Sequence, residues 1–202
     1  VFRKDIIIIF KELFQFKKNE SFYFSIYIII SIFPAAFIGL FYEDFINNLF
    51  KGNLILVGTM LIITSFLLYL TDHKKMNKKR ISYISALLIG LVQAIAILPG
   101  LSRSGATIAI AIIIGVSREK ASRFSFLMVI PLIIGGMIKN LSSLPQNFDI
   151  KADVLFIGFF TALITGVFAC KLMIVLVNKS KLKYFSLYCL IVGFISIYHV
   201  IS

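Results

Sequence analysis

The sequence predicts an all-α fold: a polytopic transmembrane helical bundle with a re-entrant helix hairpin. Of its 202 residues, 59% are hydrophobic and only 15% are charged, whereas soluble domains have roughly 45–50% apolar and about 25% charged residues. The charges lie in short groups between long uncharged runs, as expected of a chain that crosses a bilayer repeatedly. One apolar stretch, residues 81–117, is interrupted by Pro99 and Gly100, and this interruption predicts the hairpin.

Five apolar runs are long enough to cross the hydrocarbon of a bilayer, for which a helix needs about 20 residues. Three of them contain no Lys, Arg, Asp or Glu, and the other two carry such residues only near their ends. The predicted spans are residues 22–42, 53–71, 122–141, 154–178 and 184–202. Because no soluble domain or linker interrupts them, residues 1–202 are predicted to form a single integral membrane domain.

The stretch 81–117 is predicted to enter the membrane and return to the same side. Pro99-Gly100 should end any helix near Leu98, and the apolar segment that follows is short for a full span. With this hairpin every basic loop falls on one side, which the positive-inside rule places in the cytoplasm. A single crossing without return would put the lysines of segment 179–183 outside. Three full spans would keep the same sidedness, and only their length argues against them.

The formal net charge of +12 is attributed to the positive-inside pattern and to attraction for anionic lipids. The basic residues lie in loops, so no basic face remains to bind nucleic acid. Arg118 and Arg123 follow the hairpin, and snorkelling to the membrane interface accounts for them. Cys170 and Cys189 lie inside apolar runs and are interpreted as small core residues, with no disulfide framework or metal site.

Arg103, at the tip of the hairpin, is the principal candidate functional residue, because an ionisable group at membrane depth marks a functional site. A helix that begins near Ser104 presents unpaired N–H groups and the positive end of its dipole. Glycines leave room for a ligand, hydroxyl groups donate hydrogen bonds, and the guanidinium fork matches phosphate oxygens. Together these groups predict an anion cradle for phosphate or diphosphate. The predicted substrate-binding residues are Gly100, Ser104, Gly105, Ala106, Thr107 and Gln93.

Two of these assignments leave an alternative open. The tip can also be an ordinary helix start, with a serine cap and with Arg103 reaching lipid headgroups. Gln93 lies ten residues before Arg103 on the helix that leads into the tip. A lone glutamine in a membrane helix often bonds to a neighbouring helix, and here it could instead orient a ligand or a metal-bound water. Ser125 is expected to pack against the tip.

A long, ordered motif surrounds Arg103. It comprises Gln93, the run Leu98-Pro99-Gly100-Leu101-Ser102-Arg103-Ser104-Gly105-Ala106-Thr107-Ile108, then Gly115-Val116-Ser117-Arg118, Ala121, Phe124-Ser125-Phe126-Leu127 and Ile130-Pro131. This motif resembles the undecaprenyl-diphosphatase (bacitracin-resistance) family. Weaker similarity, through Phe33-Pro34-Ala35-Ala36 and the spacing of the spans, extends over nearly the whole chain.

The resemblance implies a hydrolase of the bacterial plasma (inner) membrane that converts undecaprenyl diphosphate to undecaprenyl phosphate, recycling the lipid carrier of cell-wall synthesis. It implies that Arg103 and Ser102 bind the diphosphate and are the catalytic residues. It also implies a divalent cation, Mg²⁺ or Ca²⁺, as cofactor. The expected partners are the polyprenyl diphosphate lipid and the membrane, with association into a homo-oligomer left open.

One part of the family pattern has no match in this sequence. The family has an N-terminal motif of paired glutamates followed by a Pro-, Ser- and Thr-rich stretch ending in Gly-His, and neither His73 nor His199 has that context. The expected metal ligands are therefore predicted to lie in a missing N-terminal region, and the chain is interpreted as a fragment or a degenerate homologue. Two other functions stay open: a lipid or anion transporter or flippase, for which broken helices are equally typical, and an inactive truncated homologue.

Overall fold

The computed structural model of the protein describes residues 2–3, 6–7, 19–74, 79–142 and 152–201. These residues form helices and turns, with one isolated bridge between Lys79 and Val116. The helices are α1 (Glu20–Phe41), α2 (Glu43–Leu49), α3 (Leu54–Asp72), α4 (Tyr83–Ile95), α5 (Arg103–Ile113), α6 (Arg118–Ser142), α7 (Ala152–Asn178) and α8 (Lys183–Ile201).

Among the described residues, five helices are long and apolar enough to cross a membrane: α1, α3, α6, α7 and α8. Each coincides with one predicted span to within a few residues, and the chain is an all-α polytopic membrane protein, as predicted. The largest shift is in α6, which begins at Arg118 rather than at residue 122. The basic segment 1–20 and the loops 72–80 and 142–153 lie wholly or partly outside the described residues. The sidedness and the single-domain assignment therefore stay predictions.

Two shorter helices form the predicted hairpin. With 13 and 11 residues, α4 and α5 are about 20 and 16 Å long and fall short of the roughly 30 Å of bilayer hydrocarbon. The two ends of the hairpin meet, because the Lys79 N–H donates to the Gly115 carbonyl oxygen at 3.1 Å and Lys79 pairs with Val116. The chain therefore enters and leaves this element at the same end, which confirms the hairpin.

The hairpin packs on α1 through a point of close backbone approach. A Cβ atom at Gly90 would lie 2.4 Å from the carbonyl oxygen of Ser31, so a glycine is needed for α4 to come this near to α1. Ser31 is buried, and its hydroxyl donates to the Ile28 carbonyl oxygen at 2.7 Å. Membrane helices associate through such contacts, because small residues bring two backbones into van der Waals contact.

α3 and α8 pack together in the same way. A Cβ atom at Gly58 would lie 2.8 Å from the carbonyl oxygen of Gly193, and one at Gly193 would lie 2.9 Å from that of Gly58. The hydroxyl oxygens of Ser65 and Ser186 are 3.0 Å apart, and the Ser186 hydroxyl donates to the Ser65 carbonyl oxygen at 2.8 Å. Since α3 also contacts α5, it lies between α8 and the hairpin and supports the returning helix.

The prediction that Arg118 snorkels to the interface is wrong. Arg118 is only 4% exposed, its Nη1 lies 3.5 Å from Oδ1 of Asp72, and its Nη2 donates to the Thr71 carbonyl oxygen at 2.8 Å. Oδ2 of Asp72 accepts the backbone N–H of Lys183 at 2.8 Å. A carboxylate far away in sequence therefore holds the buried guanidinium and joins α3, α6 and α8 at one end of the bundle. By contrast, Arg123 is exposed and lies over the ring of Phe24 at 5.4 Å.

Replacing Gly90 with alanine is expected to lower the stability of the protein by about 1–3 kcal/mol, as overpacking usually does. The added methyl group would meet the backbone of Ser31, so α1 or α4 must move. Thermal unfolding in detergent, followed by helical circular dichroism, measures the effect. Gly135→Ala in α6 is the matched control, because a Cβ atom there meets nothing within 4 Å. Equal melting temperatures for the two variants would contradict the close contact.

Candidate active site at the hairpin tip

The tip of the hairpin is the turn of residues 96–102 between α4 and α5. α4 ends at Ile95, three residues before the predicted end near Leu98. Pro99 explains the early end, because its ring would clash with the carbonyl of Ile95 in a continued helix and it disfavours the helical conformation at Leu98. Turn hydrogen bonds satisfy part of the released backbone, such as the bond from Leu98 N–H to the Ile95 carbonyl oxygen at 3.1 Å.

Gly100 allows the tip to sit against α3. Its φ is +92°, in the left-handed region that glycine adopts without penalty. A Cβ atom at this position would lie 2.4 Å from the carbonyl oxygen of Val57. The left-handed backbone conformation and the close approach of α3 therefore require a glycine at this position, whether or not a ligand binds.

Ser102 joins α5 to α3. Its backbone N–H donates to Oγ1 of Thr64 at 3.1 Å, and the hydroxyl of Thr64, a fully buried residue, donates to the Met60 carbonyl oxygen at 2.9 Å. Ser102 is also the N-cap of α5, with Oγ accepting the Gly105 N–H at 3.1 Å. Thr64 is a positioning residue that the sequence analysis missed.

The capping bonds determine which backbone donors remain for an anion. The Gly105 N–H donates to Ser102 Oγ, and the Ala106 N–H donates to the Ser102 carbonyl oxygen at 2.8 Å. The N–H groups of Arg103 and Ser104 remain, because neither residue has a carbonyl group four residues earlier within the helix. A Cβ atom at Gly105 would lie 2.8 Å from Ser102 Oγ, so this glycine is required by the cap.

Thr107 fixes the first turn of α5 against α6. Its hydroxyl lies 2.8 Å from the Arg103 carbonyl oxygen and 3.2 Å from that of Ser104. The same hydroxyl oxygen lies 2.6 Å from the hydroxyl oxygen of Ser125 in α6, and both residues are buried. The hydroxyl of Thr107 is thus occupied by bonds that hold Arg103 in place, and Ser125 packs against the tip as expected.

A cavity of about 560 Å³ lies against the tip. Arg103 and Ser104, both half-buried, contribute its polar wall together with Gly100. The opposite wall is supplied by α6 and α7, and there Cys170 lines the cavity half-buried, whereas it was expected to be a core residue. Cys189 is buried. Three of the predicted site residues, Gly100, Arg103 and Ser104, therefore open into one cavity.

Gln93 lies behind this cavity. It is fully buried, and neither atom of its amide has a hydrogen-bond partner among the described residues. On α4 it precedes Ala96 and Ile97, which line the cavity, by about one helical turn. A buried amide without partners is unfavourable by about 1–3 kcal/mol. The position fits a residue that bonds to a water or a ligand, and the substrate-binding role of Gln93 stays a prediction.

The described part of the chain does not match the implied divalent cation. It contains no group of three or more His, Cys, Asp or Glu side chains placed to hold a metal ion. His73 lies at the end of α3, with Nδ1 3.1 Å from the Tyr69 carbonyl oxygen. The divalent cation therefore stays a prediction of the family resemblance.

The chain was compared with known families and proteins. A family model described as bacitracin resistance protein BacA matches residues 1–195. Undecaprenyl-diphosphatase of Christiangramia forsetii is 48% identical over 98% of this chain and 75% of its own length. The protein of the same name from Bacteroides thetaiotaomicron is 42% identical over 94% of this chain and 74% of its own length. The undecaprenyl-diphosphatase of Methanococcus vannielii is 35% identical over 96% of this chain and 80% of its own length.

Replacing Thr64 with valine is expected to loosen the hairpin tip, because the Ser102 N–H then loses its acceptor at an unchanged side-chain volume. A buried donor without a partner is unfavourable by about 1–3 kcal/mol. Hydrogen exchange of the peptide containing Ser102, followed by mass spectrometry, should show faster exchange. Thr59→Val is the control in the same helix, because Thr59 donates only to the Leu56 carbonyl oxygen within α3. Unchanged exchange in Thr64→Val would contradict the assigned contact.

Proposed function

We propose that this chain, which belongs to the bacitracin resistance protein BacA family, hydrolyses undecaprenyl diphosphate to undecaprenyl phosphate and inorganic phosphate. The family match confirms the resemblance inferred from the motif around Arg103. One structural observation carries the proposal: Arg103 and the start of α5 open together into a cavity at the tip of a re-entrant hairpin. An arginine beside a helix N-terminus favours the binding of a multiply charged anion.

The tip is proposed to act by electrostatic stabilisation. The Arg103 fork makes two parallel hydrogen bonds to oxygens of the diphosphate, and the N–H groups of Arg103 and Ser104 add two donors at the positive end of the α5 dipole. These donors are held in advance by the Ser102 cap, by Thr64 and by the Thr107–Ser125 contact. They therefore need little reorganisation as charge moves onto the leaving phosphate, which lowers the barrier.

Two roles stay proposals for Ser102, that of a phosphate ligand and that of a nucleophile. Among the described residues that line the cavity, its neighbours Leu101, Arg103 and Ser104 appear and Ser102 itself does not. Its Oγ accepts the Gly105 N–H, and its hydroxyl proton remains available to a phosphate oxygen. As a nucleophile, Oγ would attack the terminal phosphorus, and its proton would pass to the undecaprenyl phosphate that leaves. Water would then release phosphate from the serine.

Several finer assignments are part of the proposal and rest on the resemblance. These are the polyprenyl chain of the substrate, the bacterial plasma membrane as location, and Mg²⁺ or Ca²⁺ as cofactor. Association into a homo-oligomer stays an open alternative. A flippase would also use a broken helix at membrane depth, and the names of the relatives favour the hydrolase. In detergent a hydrolase releases phosphate, whereas a flippase requires two leaflets.

Arg103→Lys is expected to reduce kcat/KM for undecaprenyl diphosphate in detergent by about a hundredfold or more, the usual effect of removing one preorganised charged donor. An ammonium group keeps the charge but cannot make the bidentate contact. Phosphate release is measured in the presence of Mg²⁺ or Ca²⁺. Arg123→Lys, an exposed arginine outside the cavity, is the control and should retain activity. Near-normal turnover by Arg103→Lys would refute the proposed role.

A further inference from the structure

The cavity at the hairpin tip has two walls of different chemistry. On one side lie Arg103, Ser104 and the Gly100 turn. On the other side α6 and α7 contribute Phe126, Val129 and Cys170. The turn beside Arg103 also contributes apolar side chains to the lining, among them Ile97, Leu98 and Leu101. The described lining therefore combines one cationic group with a mainly apolar surface, which matches a ligand with an anionic end and an apolar body.

We propose that Phe126, Val129 and Cys170 bind the first isoprene units of the substrate while Arg103 binds its diphosphate. This inference rests on the proposed function and assigns the apolar part of the same site. The cavity volume of about 560 Å³ is in the range that encloses a ligand of drug size, which suits a headgroup and the nearest part of a prenyl chain. A longer polyprenyl chain must therefore leave the cavity.

α7 provides a surface for the remainder of the chain. Within the described residues it packs along α6 and exposes most of its apolar side chains, including Leu163, Ile164 and Phe168. Cys170 lies on this helix and lines the cavity. A prenyl chain that passes Cys170 therefore continues onto an exposed apolar face of α7.

The apolar wall should act on specificity more than on affinity. A prenyl chain outside the cavity is already surrounded by lipid tails, which are as apolar as leucine, so its burial brings no hydrophobic gain. What the wall supplies is shape: the branched isoprene either fits beside Val129 or is excluded. A larger side chain at position 129 should consequently exclude prenyl substrates without removing the anion site.

The native Cys170 thiol allows a direct test in the detergent-solubilised full chain. N-ethylmaleimide alkylates Cys170, and mass spectrometry measures the rate with and without farnesyl methylenediphosphonate, a prenyl diphosphate analogue that cannot be hydrolysed. At ten times its Kd the analogue should slow alkylation about tenfold, because only the unoccupied fraction reacts. Inorganic diphosphate and farnesol at the same concentration should each protect Cys170 less than the analogue, because each lacks one half of the ligand.

Two controls accompany this measurement. A cysteine placed at Ile195, an exposed position of α8 that does not line the cavity, in a Cys170→Ser background should react at the same rate with and without the analogue. Val129→Trp should raise the concentration needed for half-protection at least about tenfold, whereas Val154→Trp on exposed α7 should leave it unchanged. If Val129→Trp fails to fold, the protection of Cys170 in the unmodified protein still tests the proposed prenyl site.

The outcomes separate this inference from the proposed function. An unreactive Cys170, absence of protection by the analogue, or equal protection by inorganic diphosphate or farnesol would overturn the prenyl site. Phosphate release from undecaprenyl diphosphate without protection of Cys170 would refute the prenyl site and leave the hydrolase standing. Protection without phosphate release would support the prenyl site and contradict hydrolysis by this chain.

Discussion

A polypeptide that turns around inside a bilayer must find partners for its own backbone, because hydrocarbon supplies none. The turn between α4 and α5 meets this constraint with its own turn bonds and with one hydroxyl of a neighbouring helix. Thr64 accepts the Ser102 N–H, and the Ser102 side chain in turn caps α5. Arg103 and Ser104, which carry the remaining backbone donors, line a cavity. The hydrogen bonds that satisfy the backbone of the hairpin turn therefore also determine which donors remain for a ligand.

The rest of the bundle holds this tip in position. Glycine contacts bring α1 against α4 and α8 against α3, so the backbones that flank the hairpin have little freedom to move. At the ends of the hairpin, Lys79 is bonded to Gly115, and the buried Arg118 guanidinium is paired with Asp72. Catalysis by preorganised donors requires this rigidity, because a loosely held arginine would have to reorganise in each turnover.

Length and local chemistry made part of the structure predictable from sequence. The uncharged runs are as long as the bilayer is thick, and Pro99-Gly100 marks the turn, so the spans, the hairpin and Arg103 at its tip followed directly. Contacts between distant segments were not predictable in this way. The sequence predicts Arg118 at the interface because it follows the hairpin in a basic segment, whereas its partner Asp72 lies on another helix. A polar pair, Thr64-Ser65, inside the uncharged run 53–71 was the available signal for a helix contact.

The proposed mechanism depends on one contact, between the guanidinium of Arg103 and a diphosphate at the hairpin tip. Solid-state NMR measures this contact directly, through dipolar recoupling between ¹⁵N-labelled arginine side chains and the ³¹P nuclei of a bound prenyl diphosphonate. A bidentate contact places nitrogen and phosphorus within about 4 Å, so we expect a strong coupling that disappears in Arg103→Lys. A coupling that persists in this variant would contradict the contact between Arg103 and the diphosphate. The absence of any coupling in the unmodified protein with ligand bound would contradict it as well.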